Sequence, residues 1–110
     1  MSEQVPQGSA SSCWSLYIVE TAHGHLYTGI STDVMRRVAE HQSGKRGARA
    51  LRGKGPLRLR FHREVGGKSR ALKLEYAVKR CPKSVKQALI AGQYTLEMLS
   101  EYGALESDLD

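Results

Sequence analysis

A chain of 110 residues has the length of one ordinary domain, and an apolar content of 40% with 25% charged residues is typical of a globular protein. No apolar run approaches the roughly 18 residues that a membrane span needs, and the polar beginning of the chain lacks the basic and apolar blocks of a secretory signal. The two cysteines are far apart in sequence and match no metal-binding pattern, so we expect free thiols and a cytoplasmic protein.

The positive charge of the chain is concentrated in its middle. All 17 Lys and Arg residues lie between Arg36 and Lys86, a stretch that contains only three acidic residues, whereas the chain beyond it is acidic. A dense basic segment attracts a polyanion and gains affinity by releasing the counterions of that polyanion. The pattern therefore favours contact with nucleic acid. The alternative is a charged surface that only keeps the protein in solution.

The first half of the chain predicts two strands and a helix after a polar leader. Residues 1–12, rich in Ser, Gln and Gly, are expected to form a disordered leader. Apolar side chains recur at every second position over 14–20, which predicts a strand, and after a short turn residues 25–30 predict a second one. A run of good N-cap residues then precedes the first helix, which we expect over 33–42.

The second half predicts a basic loop, a third strand and two further helices. Apolar residues at 57, 59 and 61 alternate with Arg58, Arg60 and His62, which marks a strand with one wet, basic face that ends at the glycines 66 and 67. We expect a second helix over 69–80, capped by Ser69, and a short third helix over 84–91. An acidic extension, 92–110, is expected to be peripheral. The loop between the first helix and the third strand carries five cations, which are Lys45, Arg46, Arg49, Arg52 and Lys54.

The first helix places Arg37 and His41 one turn apart, at the border of its expected buried face. A cation and an imidazole in that position can reach into a cleft with fixed geometry. The alternative is an arginine that extends past the core to solvent and a histidine whose N–H is satisfied locally. The expected buried face consists of Val34, Met35, Val38 and Ala39, with Arg36 and Glu40 in solvent.

In the second helix, Glu75 falls on the face expected to be buried, among Ala71, Leu72 and Val78. Burial of a carboxylate costs free energy unless the group is protonated, ion-paired or bound to metal. An ion pair with a nearby arginine is one explanation. A metal site is the other, because one carboxylate together with substrate phosphate oxygens is a common way to hold Mg²⁺.

Two tyrosines and a glycine in the expected hairpin complete the set of candidate residues. Tyr17 and Tyr27 lie directly opposite each other in one register of the hairpin, but the sequence does not fix that register. Tyrosine pairs in strands often serve only packing. Gly29, near the end of the second strand, allows a backbone or a ligand to approach closely.

Taken together and in order, these residues resemble the pattern of the GIY-YIG nucleases. The resemblance rests on residues 16–19, on 27–29, on Arg37 followed by His41 four residues later, and on the acidic helix at 71–75. The spacing is its specific part, since Arg37 lies ten residues after the tyrosine that begins the second triplet. The chain departs from the pattern in containing no Asn, which several family members carry near the site, and Gln87 is a candidate replacement.

The resemblance implies an α/β (α+β) domain over residues 13–91, with a small three-stranded antiparallel sheet flanked by helices. It also implies an endonuclease that hydrolyses phosphodiester bonds in DNA with Mg²⁺ or Mn²⁺, in repair or processing, without an obligate protein partner. A non-catalytic nucleic-acid-binding module with the same fold is one alternative, and the basic loop would contact nucleic acid in that case too. A protein-interaction domain whose basic loop meets an acidic partner is another alternative.

The resemblance also assigns roles to individual side chains. Tyr17 and Tyr27 would position or deprotonate the attacking water, and His41 would assist that proton transfer. Arg37 would stabilise the phosphate, and Glu75 would hold one metal ion. Such a set is chemically coherent, because phosphodiester hydrolysis needs a nucleophile in line and charge neutralised on the phosphorus centre in the transition state.

Overall fold

The structure is a computed structural model and describes residues 13–43 and 55–102, the last three in their backbone only. The expected leader, all five cations of the basic loop and the end of the acidic extension lie outside these residues. Every predicted strand and helix is present, with boundaries within one residue of the prediction. The elements are β1 (Trp14–Glu20), β2 (Leu26–Ser31), α1 (Val34–Ser43), β3 (Arg58–Gly66), α2 (Lys68–Lys79), α3 (Lys83–Ala91) and a final 3₁₀ helix (Leu96–Tyr102).

The three strands form one antiparallel sheet in the order β2-β1-β3, which confirms the predicted fold class. The central strand β1 is buried on both faces, and the side chains from Leu16 to Val19 are at most 1% exposed. This position explains why β1 reads as a nearly continuous apolar run, although one of its buried residues is Tyr17.

Helices cover the sheet on both faces. On the first face, Leu16 and Ile18 pack against α2, α3 and the 3₁₀ helix. On the second face, Tyr17 and Val19 form a smaller cluster with α1 and Leu57. The partners on the first face are Leu74, Ala77, Val78, Leu89, Leu96 and Leu99, and those that α1 supplies on the second are Val34 and Val38.

Local hydrogen bonds fix how the hairpin leads into α1. In the β1–β2 turn the Thr21 amide donates to the His25 carbonyl oxygen at 2.8 Å, and Gly24 has φ of 84°, a left-handed conformation that glycine adopts without strain. At the start of α1 the Arg36 amide donates to Asp33 Oδ1 at 3.1 Å. Asp33 is therefore the N-cap, as its side chain and position predict.

The alternation in β3 predicts a single apolar face, and this prediction is wrong. Ile18 pairs with Phe61, but the next residue of β1, Val19, pairs with Leu59, so the register shifts between the two pairs. The irregularity places Phe61 against the first cluster and Leu59 against the second. An extra residue in one strand reverses the side of the sheet that later side chains face, and sequence alternation alone does not reveal it.

Helix α2 differs from its prediction at its start and in its buried face. It begins at Lys68 after Gly67, which makes no side-chain capping bond, so Ser69 lies inside the helix and is not its cap. The buried face runs through Leu74 and Val78, and Leu72, expected to be buried, is 46% exposed. Gly66 and Gly67 connect β3 to α2, and because the N-cap residue Gly67 has no side chain, the helix starts without a polar cap.

The 3₁₀ helix was expected to be peripheral, and it contributes to the core instead. Leu96 is 3% and Leu99 0% exposed, and both belong to the first cluster. In the same segment Glu97 binds the Arg63 guanidinium of β3 with both carboxylate oxygens. The chain therefore continues its packed fold past α3, and the boundary between domain and acidic extension at 91 and 92 stays a proposal.

We expect Leu99→Ala to lower the free energy of unfolding by about 2–4 kcal/mol, because it opens a cavity in the first cluster. The neighbouring Met98 is 38% exposed, so Met98→Ala serves as the matched control and should cost less than about 1 kcal/mol. Urea unfolding of both variants measures the difference. Equal, small losses would mean that the 3₁₀ helix does not contribute to the core.

Candidate active site

The candidate site lies on the second face of the sheet, where the side chain of Tyr17 on β1 extends over Gly29 of β2. Tyr17 pairs with Gly29 and Val19 pairs with Tyr27, so the two tyrosines are diagonal neighbours on one face and not directly opposite. A Cβ atom on residue 29 would lie 2.5 Å from Tyr17 Oη and 2.6 Å from Cζ. Gly29 thus provides the space that the Tyr17 ring occupies, which is the close approach expected at this position.

The hydroxyl of Tyr17 meets the imidazole of His41, which α1 brings down onto this face. Tyr17 Oη and His41 Nε2 are 2.9 Å apart, and the two residues are 1% and 3% exposed. The Tyr27 ring contacts the same imidazole edge-on, with 5.7 Å between ring centroids. Three of the five residues predicted for catalysis therefore form one contiguous cluster.

Burial determines the protonation states of this pair. Burial, helped by the nearby Tyr27 and opposed by Arg37, raises the pKa of Tyr17 to about 12. Burial is also the main cause that lowers the pKa of His41, and the positive charge of Arg37 adds to it. At neutral pH a protonated phenol therefore faces a neutral imidazole. In the Nδ1-protonated tautomer of His41, Tyr17 donates its proton to Nε2, and in the other tautomer Nε2–H donates to the phenol oxygen.

Arg37 lies at the edge of the cluster, and α1 buries a different stripe from the predicted one. The Arg37 guanidinium donates to Glu40 Oε1 at 2.9 Å and also interacts with the Tyr17 phenol. Met35, expected to be buried, is 67% exposed, whereas His41 is fully covered. The layer beneath α1 is filled by Tyr17 and is partly polar, so the helix turns the face that bears His41 toward the sheet.

Glu75 approaches the cluster from α2 and is half-buried rather than buried. Its side chain is 20% exposed, and Oε2 lies 3.3 Å from Lys79 Nζ, one turn further along the helix. The negative charge of Glu75 contributes to the raised pKa of Tyr17, so the carboxylate acts on the buried phenol. An ion pair with an arginine was one explanation for Glu75, and the structure pairs Glu75 with a lysine on the same helix instead.

The residues present fit a metal site with few protein ligands. Among the described residues no group of three or more His, Cys, Asp and Glu side chains could hold a metal ion. The described structure places the Glu75 carboxylate beside the Tyr17 and Tyr27 cluster, and the Glu40 carboxylate, also near it, is paired with Arg37. Mg²⁺ is commonly bound by one or two carboxylates together with waters and substrate phosphate oxygens, and one half-buried glutamate meets that requirement.

Gln87, the candidate replacement for the missing Asn, lies away from this cluster. It lines a cavity of about 370 Å³ with Leu26 and Ile90, both of which pack against the first cluster. That is the face of the sheet opposite to Tyr17. Gln87 therefore does not take part in the arrangement around Tyr17 and His41.

The exposed face of β3 is less basic than its sequence indicates. Arg60 is paired with Glu20, and Arg63 is paired with Glu97 of the 3₁₀ helix. Arg60 of the expected basic face, and Arg63 further along the strand, are thus neutralised by acids that lie far from them in sequence. In the described ranges, no helix is long and apolar enough to cross a membrane.

Sequence reasoning missed two residues of the site. Lys79 contacts Glu75 and also lies over the Tyr27 ring, with its Nζ 5.8 Å from the ring centroid. Glu40, placed in solvent by the helical wheel, pairs with Arg37. The sequence spacing could have identified both residues, because oppositely charged residues three or four positions apart on a helix are neighbours.

A family model described as the GIY-YIG catalytic domain matches residues 13–87 of the chain. A UPF0213 protein of Klebsiella pneumoniae is 56% identical over 87 residues, which cover 79% of this chain and 81% of that protein. A UPF0213 protein of Yersinia pestis is 58% identical over 84 residues, which cover 76% and 87%.

Among solved structures, the solution NMR structure of a UPF0213 protein from Bacillus halodurans is similar to this chain. The two are 35% identical, the match covers 80% of this chain and 93% of the other, and the TM-score is 0.48. The family model covers more than half of the chain and includes all five residues predicted for catalysis. The chain belongs to the GIY-YIG family, whose catalytic domain is of the nuclease type.

Proposed function

We propose that the protein is a divalent-metal-dependent endonuclease that hydrolyses phosphodiester bonds in DNA. The observation that carries the proposal is the buried hydrogen bond between Tyr17 and His41 over Gly29. A fold that needed these residues only for packing would gain nothing from burying a phenol hydroxyl and an imidazole, because each polar atom must be satisfied to avoid a penalty. A proton-transfer pair makes use of that arrangement.

In the proposed mechanism Tyr17 and His41 remove the proton of the attacking water. With a pKa of about 12, Tyr17 does not ionise by itself at neutral pH. The phenol oxygen would accept the proton of the water as the phenol proton moves to His41 Nε2, so no free phenolate is needed. The lowered pKa of His41 keeps the imidazole neutral and able to accept that proton.

The other residues would handle the charge of the phosphate. Arg37 borders the pair and would contact the phosphate oxygens, on which negative charge accumulates in the transition state. Tyr27, against the His41 ring, would position the water. Glu75 would hold Mg²⁺ or Mn²⁺, and the bound ion would supply positive charge to the phosphate oxygens. Nucleases of this family generally depend on divalent metal.

Binding to DNA would come mainly from the basic loop, which lies outside the described residues. Its five cations are close in sequence and suit contacts to phosphate, which carry no sequence preference by themselves. Repair or processing of DNA in the cytoplasm, without an obligate protein partner, is the setting we propose. The residues of the loop are Lys45, Arg46, Arg49, Arg52 and Lys54.

A non-catalytic nucleic-acid-binding module is the second candidate. The Glu75–Lys79 ion pair favours it, because a carboxylate that already has a cation partner needs no metal. A pure binding module, however, has no use for the buried Tyr17–His41 hydrogen bond. Salt-dependent DNA binding without metal-dependent cleavage would identify the second candidate.

Glu75→Gln tests the proposed function most economically. Branched, single-stranded and duplex DNA are incubated with the wild type and the variant, with and without Mg²⁺ or Mn²⁺. We expect metal-dependent cleavage by the wild type and none by the variant, while DNA affinity is retained. The variant should stay folded, because it loses only a partly exposed ion pair, which is worth less than about 1 kcal/mol. Cleavage by Glu75→Gln at the wild-type rate would remove Glu75 from the mechanism.

A second expectation separates two neighbouring arginines of α1. Arg37 is beside the Tyr17 phenol, and Arg36 is exposed. Arg37→Ala should lower kcat by at least about 100-fold, the loss typical when a group that stabilises transition-state charge is removed. Arg36→Ala removes the same charge from the same helix and should change kcat by less than about threefold. Equal losses in single-turnover cleavage would show that general charge, and not the position of Arg37, matters.

A further inference from the structure

Lys79 occupies a position that the proposed catalytic roles leave unexplained. Its ammonium lies 3.3 Å from Glu75 Oε2 and 5.8 Å from the centroid of the Tyr27 ring. The side chain is 49% exposed, so solvent is available to the ammonium as an alternative. The lysine instead lies between a carboxylate and an aromatic face, both of which attract a cation.

The cation at Glu75 has a direct consequence for any metal that the same carboxylate binds. Oε2 is the atom nearest to Lys79, and a metal ion that uses this oxygen must displace the ammonium or share the carboxylate with it. Sharing is unfavourable, because a divalent ion and an ammonium on one carboxylate repel each other. A metal ion that binds Glu75 through Oε2 therefore weakens or opens the ion pair with Lys79.

We propose that Lys79 is a positioning residue that competes with the metal ion for Glu75 and so sets the metal concentration at which the site fills. The inference rests on the proposed function, in which Glu75 is the metal ligand. Lys79 balances the charge of Glu75 next to the buried Tyr17 phenol. After displacement its ammonium stays on the flexible end of a half-exposed side chain.

The matched control for Lys79 lies at the other end of the same helix. Lys68 Nζ is 5.3 Å from the centroid of the Trp14 ring, a cation–aromatic contact of the same kind. Lys79 lies eleven positions after Lys68, which corresponds to about 16 Å along the helix axis. Lys68→Met therefore removes the same charge and a comparable contact without touching Glu75.

The test measures binding of Mn²⁺ alone, without DNA and without an activity assay. Paramagnetic broadening of backbone amide NMR signals around Glu75 is followed during a Mn²⁺ titration of the wild type and four variants. We expect Lys79→Met to bind Mn²⁺ about fivefold more tightly, the effect of removing a competing ion pair worth up to about 1 kcal/mol. Lys79→Arg, which keeps a cation beside Glu75, should stay within about twofold of the wild type, as should Lys68→Met.

The outcomes separate this inference from the function on which it rests. Loss of broadening in Glu75→Gln, together with equal Mn²⁺ affinity of Lys79→Met and Lys68→Met, would overturn the competition while leaving Glu75 as the ligand. Unchanged broadening in Glu75→Gln would overturn both, because the ion would then bind elsewhere. Tighter binding in Lys79→Met alone supports the competition, since a purely helix-stabilising ion pair would change the thermal stability and not the metal affinity.

Discussion

The hydrogen bond between the Tyr17 hydroxyl and His41 Nε2 is the interaction on which the rest of the site depends. Both side chains are buried, so the polar atoms that meet here have to be satisfied by hydrogen bonds within the site. The bond requires that Gly29 lie beneath the Tyr17 ring, where any Cβ would collide with it. It also requires that α1 turn its His41 side to the sheet, at the expense of exposing Met35.

The sheet divides the molecule into two layers of different chemistry. The first layer is apolar and carries most of the packing, including Leu96 and Leu99 of the 3₁₀ helix. The second layer is smaller and contains the buried polar pair. The larger apolar cluster on the first face stabilises the sheet, and the sheet in turn holds the polar pair on the second face in a fixed geometry. Glu75 lies on α2, which packs in the apolar layer, and its negative charge acts on the Tyr17 phenol.

The sequence predicts the elements well because each is marked locally. Apolar residues between turn-forming residues mark the strands, and Asp33 as an N-cap starts α1 within one residue of the expected position. The site residues could be proposed because burial of a polar group costs free energy unless that group has a partner or a function. What depends on several elements at once could not be predicted. The bulge that separates Phe61 from Leu59 leaves the alternation of β3 intact, and the diagonal placement of Tyr27 depends on the geometry of the hairpin turn.

Nitrogen-15 NMR of the His41 ring reports the tautomer and the pKa of the proposed proton acceptor and so is the decisive measurement on the Tyr17–His41 pair. At pH 7 we expect a neutral ring with its proton on Nδ1, with Nε2 accepting the Tyr17 hydrogen bond and a pKa below the ordinary value of 6.5. In Tyr17→Phe the Nε2 signal should shift toward that of a non-bonded nitrogen. An Nε2-protonated ring at pH 7, or a pKa above 6.5, would contradict the proposed proton transfer from Tyr17 to His41.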